Sequence, residues 1–207
     1  MDGVRRFREQ KFPERSELFE GLATGQDPNT LFITCADSRI VPELITQTQP
    51  GELFVCRNIG NIVPAYGEMM GGVSAVVEFA CVGLGVTDIV VCGHSDCGAM
   101  KALLAPDSDT MRRMPTVRSW LRNADAARSV VEVTQPNLQG EAMVQALVEQ
   151  NVRTQIGHLR THPSVAGRLA AGNLRLHGWV YGIGSGSIGI MEGGDGKLVP
   201  IEQIPPE

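Results

Sequence analysis

The chain has no dense run of lysine or arginine and carries a formal net charge of −5, so it lacks the means to neutralise nucleic-acid phosphates. It has no basic amphipathic face for a membrane surface, and no stretch approaches the ~20 uninterrupted apolar residues of a spanning helix. The opening residues, MDGVRRFREQKF, are too polar for the apolar region of a signal peptide. These absences predict a cytoplasmic protein with neither nucleic-acid nor membrane partners. Cysteine is also too sparse for a disulfide framework. Its five residues, Cys35, Cys56, Cys81, Cys92 and Cys97, are an odd number, and in a reducing compartment metal binding or catalysis is the better use for them. Repeats, linkers and low-complexity segments are missing too. A length of 207 residues with 43% hydrophobic content suffices for one buried core, so 1–207 is expected to be a single domain with residues 1–25 as a helical arm.

What is present is organised around Thr30 to Arg39, TLFITCADSR. Leu31 to Thr34 is a β-branched and aromatic run of strand length, and it gives way abruptly to Cys35, Asp37, Ser38 and Arg39. A second apolar strand, Ile89 to Cys92, runs straight into His94 and Cys97. Further strands are expected at Glu52 to Cys56 and Leu174 to Ile183, and Ile188 to Met191 can pair with Leu198 to Ile201 as a small antiparallel edge. Helical patterns fall between them: a short helix from Val41, one from Gly71-Gly72 to Val82 that is apolar enough to be buried, one from Gly98, then 112–134 and 140–160, and a short one from Pro163. Strands alternating with helices predict an α/β fold, a mainly parallel sheet with a four-stranded core plus the antiparallel edge, wrapped by helices. The arm, broken at Pro13, carries Phe7, Phe12 and Phe19, which need cover from the core or from a second subunit.

In an open α/β sheet the carboxyl ends of the strands are where ligands bind. Thiolate and imidazole are the ligands zinc prefers, and Cys35, His94 and Cys97 form a triangle from two strand ends. Alone, His-x-x-Cys is weak and more often marks a core cysteine beside a polar turn; joined to CADSR at a second strand end it becomes specific. Only one short ligand pair exists, which favours an open, catalytic site over a closed structural one. Cys56, Cys81 and Cys92 lie within apolar runs and read as small hydrophobes. His158 and His162 read as surface or capping groups, His177 as a hydrogen-bonded core histidine, and Asp96 as serving the helix N-terminus or solvent. Two thiolates cancel the charge of Zn²⁺ and so acidify a bound water less than neutral histidines would. Asp37 can supply the missing help by accepting the hydroxide's proton, with Arg39 keeping it ionised; the competing reading of this pair is a salt bridge that stabilises the turn.

These residues carry a family resemblance. Cys35-Ala-Asp37-Ser-Arg39 followed by His94-Ser-Asp-Cys97-Gly98 resembles the paired signature of the β-class carbonic anhydrases. The likeness extends through Pro50 to Phe54, Arg57 to Asn61, Gly71 to Ser74 and His177 to Tyr181, and is greatest to the bacterial branch that accompanies cyanate degradation. It implies reversible hydration of CO₂ to bicarbonate and a proton, on a zinc held by Cys35, His94 and Cys97, with Asp37 and Arg39 orienting the attacking hydroxide. It further implies a substrate pocket at Gln26, Phe54, Phe79 and Gly98, partly completed by a second subunit in a homodimer or tetramer. A bicarbonate pocket that closes some members matches here at Phe32, Arg57 and Tyr181, with Phe32 standing where those members carry tryptophan. Two other readings compete: a non-catalytic zinc or bicarbonate-sensing module, which a missing dyad would indicate, and an enzyme acting on a CO₂ isostere such as CS₂ or COS.

Overall fold

The computed structural model describes residues 1–68 and 71–205. The arm comes first. Helix α1 (Asp2–Arg6) runs on through a wider turn to Lys11, and Pro13 separates it from α2 (Ser16–Leu22). The rings of Phe12 and Phe19 stack at 5.2 Å and Phe7 meets both edge-on, yet Phe7 and Phe12 stay exposed. Leu22 caps the end of the arm against Gly51, whose φ of +95° and lack of a Cβ leave room for the leucine methyls.

Strand β1 (Thr30–Cys35) leads to the short α3 (Pro42–Thr46), with proline in its first turn, and then to β2 (Leu53–Asn58). Helix α4 (Gly72–Glu78) widens into a π-helical segment ending at Gly85, whose φ is +70°. Strand β3 (Asp88–His94) feeds α5 (Gly98–Leu104). The expected 112–134 helix is in fact α6 (Asp109–Arg112), α7 (Pro115–Leu121) and α8 (Asp125–Thr134), broken at Pro115 as expected and again at a tight turn, Arg122–Ala124. Then come α9 (Gly140–Leu159), α10 (Pro163–Ala170), β4 (Arg175–Tyr181), β5 (Ile188–Met191) and β6 (Leu198–Pro200).

The sheet order is β2-β1-β3-β4-β5-β6. The first four strands are parallel and the last two add antiparallel, which is the expected architecture. Strand β1 connects outward to β2 on one side while β3 connects to β4 on the other, so the switch point lies between the carboxyl ends of β1 and β3. Side chains alternate as strands require: Leu31, Ile33 and Cys35 join the main core, whereas Phe32 faces Val90, Cys92 and Trp179 on the opposite side. Helix α9 lies against β3 and β4, where glycines allow its approach. A Cβ on Gly93 would come within 2.9 Å of Val152 Cγ2, and one on Gly178 within 3.0 Å of Val152 Cγ1.

Two expectations about burial need correction. The segment from Gly72 to Leu84 buries only one side, through Val77, Ala80 and Cys81, and leaves Phe79 and Val82 51% and 72% exposed. An unbroken apolar run does not reveal which face a helix turns to the core. His162, read as a surface or capping group, is 2% exposed with Nε2 3.0 Å from Pro64 O, and half-buried His158 places Nδ1 2.8 Å from Val63 O. His177 is hydrogen-bonded as expected, to Asp88 at 2.8 Å, at the margin of the core rather than inside it.

Candidate metal centre

Cys35 ends β1, His94 ends the neighbouring β3, and Cys97 stands at the N-cap of α5. The chain turns back between the last two because Asp96 takes a left-handed conformation, φ +58°, which aspartate tolerates better than most residues. The turn is pinned to β4: Ser95 N–H donates to Tyr181 O at 2.9 Å and Ser95 Oγ accepts from Ile183 N–H at 3.0 Å. As a result the donor atoms of Cys35, His94 and Cys97 all lie within 4.8 Å of one another, and all are buried.

The set fits a zinc ion. His94 Nδ1 is 2.9 Å from Ser95 O, a carbonyl that can only accept, so Nδ1 carries the proton and Nε2 keeps its lone pair. That Nε2 is buried without a hydrogen-bond partner, an arrangement disfavoured unless a ligand takes up the lone pair. The sulfurs are held as a coupled pair. The Cys97 thiol, acting against burial, drives Cys35 well below the ordinary thiol range, assisted by His94 and by the N–H groups of Gly60 and Asp37. Cys97 is driven up in turn, first by the Cys35 sulfur and then by burial, although the N–H groups of Met100 and Ala99 favour its thiolate. A divalent cation would displace a proton shared between the two sulfurs and hold both as thiolates.

Beside this triangle, Arg39 grips Asp37 in a fork, Nε to Oδ1 at 2.9 Å and Nη2 to Oδ2 at 2.8 Å, and its own backbone N–H adds a third bond to Oδ1 at 3.0 Å. These contacts hold the Asp37 carboxyl well below the usual carboxylate range. Asp37 Oδ2 lies 3.9 Å from His94 Nε2, so the carboxylate borders the space the three donors share. Asp96 meets the solvent, as one of its two readings expected, and caps no helix: Arg39 Nη1 reaches its Oδ2 at 3.0 Å and Lys101 binds its Oδ1, making it a second anchor for the arginine.

Of the other anticipated residues, Phe54 and Phe79 pair with ring centroids 5.8 Å apart, Phe54 half-buried and Phe79 exposed. Gln26 is exposed in the loop ahead of β1. Gly98 opens α5, and a Cβ there would meet nothing within 4 Å, so packing does not require glycine. Phe32 is buried edge-on against Trp179 at 5.8 Å, and half-buried Tyr181 packs on the same small cluster. Arg57 Nη2 donates to Asp37 O at 2.7 Å and its Nε to Cys35 O at 3.3 Å. Sequence reasoning passed over the backing of the cysteines: Gly60 N–H donates to Cys35 Sγ at 3.4 Å. The available signal was Gly60 itself, at φ +81°, in the stretch RNIGN.

A buried set of two cysteines and one histidine at the switch point of a parallel sheet defines a zinc-type catalytic centre on an α/β scaffold. Comparison with known proteins makes the assignment specific. The carbonic anhydrase family model matches residues 30–188. A carbonic anhydrase of Pseudomonas aeruginosa is 51% identical over 205 residues, covering 99% of this chain and 92% of that protein. The solved structure of the β-carbonic anhydrase CcaA matches with a TM-score of 0.93 at 42% identity, covering 100% of this chain and 90% of that one. A structure from a study of two tetrameric β-carbonic anhydrases of the filamentous ascomycete Sordaria macrospora matches at 0.81 and 30% identity, over 91% and 93% of the respective chains. The chain belongs to the β-class carbonic anhydrases, enzymes that hydrate CO₂ in a zinc-dependent reaction, and its Cys35, His94 and Cys97 are placed to bind the metal.

Proposed function

We propose that Asp37 and Arg39 form the catalytic pair of this carbonic anhydrase. The observation that carries the reading is the position of Asp37 Oδ2, 3.9 Å from the unpartnered His94 Nε2 while Arg39 holds both carboxylate oxygens. When bound, zinc supplies an acidified water as the nucleophile near neutral pH. Asp37 would accept a hydrogen bond from that nucleophile, which fixes the direction of its oxygen lone pair. Arg39 keeps Asp37 ionised and oriented, and Asp96 with Lys101 keeps Arg39 in place. The Phe54 and Phe79 rings supply an apolar wall for CO₂, which has no dipole to satisfy, and Gln26 offers an amide to bicarbonate.

The resting state in this reading has Asp37 on Arg39 rather than on the metal, supported by the two-point fork. Phe32 brings no hydrogen-bond donor to the bicarbonate pocket, and Arg57 is engaged with two carbonyls, so closure by bicarbonate at Phe32, Arg57 and Tyr181 is weakened. The working unit is a homodimer, assembling further to a tetramer; the exposed phenylalanines of the arm and the tetrameric Sordaria relatives support it. Five unpaired thiols suit the cytoplasm, and the bacterial relative at 51% identity is in keeping with the cyanate-degrading branch. Stopped-flow CO₂ hydration with metal analysis tests the core of the proposal: one zinc per chain and hydration that follows zinc content are expected. Zinc-replete protein that does not accelerate hydration would overturn it.

A further inference from the structure

The loop 59–64, between β2 and α4, is buried from Gly60 to Pro64 although its backbone joins no strand or helix. Buried peptide groups need partners, and here side chains supply them. Trp120 Nε1 donates to Ile59 O at 2.8 Å, while Asn58 brackets Ile62, donating to its O at 2.9 Å and accepting from its N–H at 2.8 Å. The deepest partners are Asn151 and Gln155, 1% and 0% exposed and one turn apart on α9. Asn151 Nδ2 donates to Gly60 O at 3.0 Å, Val63 N–H donates to Gln155 Oε1 at 2.9 Å, and Gln155 Nε2 donates to Asn151 Oδ1 at 2.8 Å.

Two buried amides on a helix face otherwise built from Val148, Val152, Ile156 and Leu159 are costly to desolvate, so their return has to come from what they hold. Gln155 holds Val63 and Asn151, and Asn151 holds Gly60. Its N–H points at Cys35 Sγ, and its missing Cβ leaves room for Ala99 and Met100, the residues that follow Cys97 closely; a Cβ there would lie 3.0 Å from Ala99 Cβ. We propose that Asn151, braced by Gln155, is a positioning residue for the metal centre, holding Gly60 so that its N–H stays directed at the Cys35 sulfur and sets that thiolate's direction and donor strength. The inference rests on the reading of Cys35, His94 and Cys97 as the zinc ligands.

The test compares Asn151→Ala with Leu147→Ala, which opens a cavity on the same helix at a fully buried residue with no polar side-chain atom. Zinc affinity is measured by chelator competition, and the thiolate-to-metal charge-transfer band is recorded after cobalt substitution. Groups that back a metal ligand typically change affinity or activity by ~10- to 100-fold. Asn151→Ala should therefore weaken zinc binding by ~10-fold or more and shift the cobalt band, whereas Leu147→Ala should lose stability yet keep wild-type affinity and spectrum. Wild-type affinity and an unshifted band in Asn151→Ala would overturn the proposal. If that variant fails to fold, Gln155→Leu, which removes the brace, is read in the same way: a shifted band supports the proposal and an unshifted one overturns it. Wild-type protein that binds no zinc would refute the ligand assignment, while zinc-loaded wild type with indifferent variants would refute only the role of Asn151.

Discussion

Replacing Asp37 by asparagine separates a catalytic dyad from a structural salt bridge. In the wild type both carboxylate oxygens accept from Arg39, at 2.8 and 2.9 Å. An asparagine can present only one oxygen to that fork; its amide N–H₂ would sit donor to donor against Arg39 or swing toward the space bordered by His94 Nε2, 3.9 Å from Oδ2. The first orientation breaks the fork that holds the side chain, and the second removes the acceptor for the attacking water's hydrogen bond. Loss of one polar contact of this kind costs ~10²-fold or more in rate. Stability should respond much less, because the side chain of Arg39 is 43% exposed and solvent screens the pair. For a chain of this size the melting temperature should fall by no more than ~4 °C. Stopped-flow hydration and thermal denaturation on the same zinc-loaded sample decide the matter: kcat should drop at least ~100-fold with little change in melting. Near-normal turnover combined with a large loss of stability would show that the pair exists to stabilise the turn.

Three further outcomes follow from the same structure. Cys97→Ser should lose zinc and activity together, since two remaining ligands hold the metal too weakly; full zinc occupancy with normal turnover would contradict the ligand set. Deleting residues 1–24 should lower both activity and solubility and shift sedimentation toward smaller species, because it removes the exposed phenylalanine cluster and the Leu22 cover over Gly51; an active micromolar monomer of the full chain would refute the subunit argument. Asp88 provides the acid test. Burial opposes its ionisation, but hydrogen bonds from Arg175, His177 and Thr87 outweigh this and lower its pKa to about 2. A carboxylate lowered in the folded state stabilises fully above its unfolded pKa of ~3.9, and that contribution is lost as pH falls through the folded value. Between pH ~4 and ~2 the wild type should therefore lose up to ~2 kcal/mol that Asp88→Asn does not lose, less whatever screening around the exposed Arg175 removes. Parallel acid-denaturation curves for the two proteins would exclude it.

How much of this was legible in the sequence depended on how local each signal is. Cys35 ends one apolar strand with Asp37 and Arg39 just beyond it, and His94 ends another with Cys97 just beyond, so pattern and spacing alone place these residues at two strand ends. The centre of the parallel core was readable for the same reason, β1 and β3 being nearly continuous apolar runs. Partners distant in the chain were not. Asn151 and Gln155 read as ordinary polar positions in a periodic helix, and only the fold reveals that this face covers a loop some 91 residues earlier. His162 faces Pro64 across 98 residues and could not be told from an exposed cap. Asp96 lies between two ligands, so its local role as a helix cap looked sufficient, and its pairing with Arg39 depends on the closeness of β1 and β3.

That closeness also explains why the centre needs so few ligands. Two donors come from neighbouring parallel strands whose separation the sheet ladder sets, and the third comes from a turn bonded to β4 on the far side of β3. The remaining freedom of each donor is taken up by a neighbour: Ser95 O fixes the tautomer of His94, Gly60 N–H meets Cys35, and the first amides of α5 face Cys97. Three converging donors would leave one position of a tetrahedral ion open, and Asp37, 17% exposed beside Arg39, borders the space the three donors share. A fourth protein ligand would add affinity but would occupy the place where water and CO₂ have to meet. The precision that such a ligand would have supplied is met instead by the hydrogen bonds behind the three, which is why a helix with no residue in the site can bear on the chemistry.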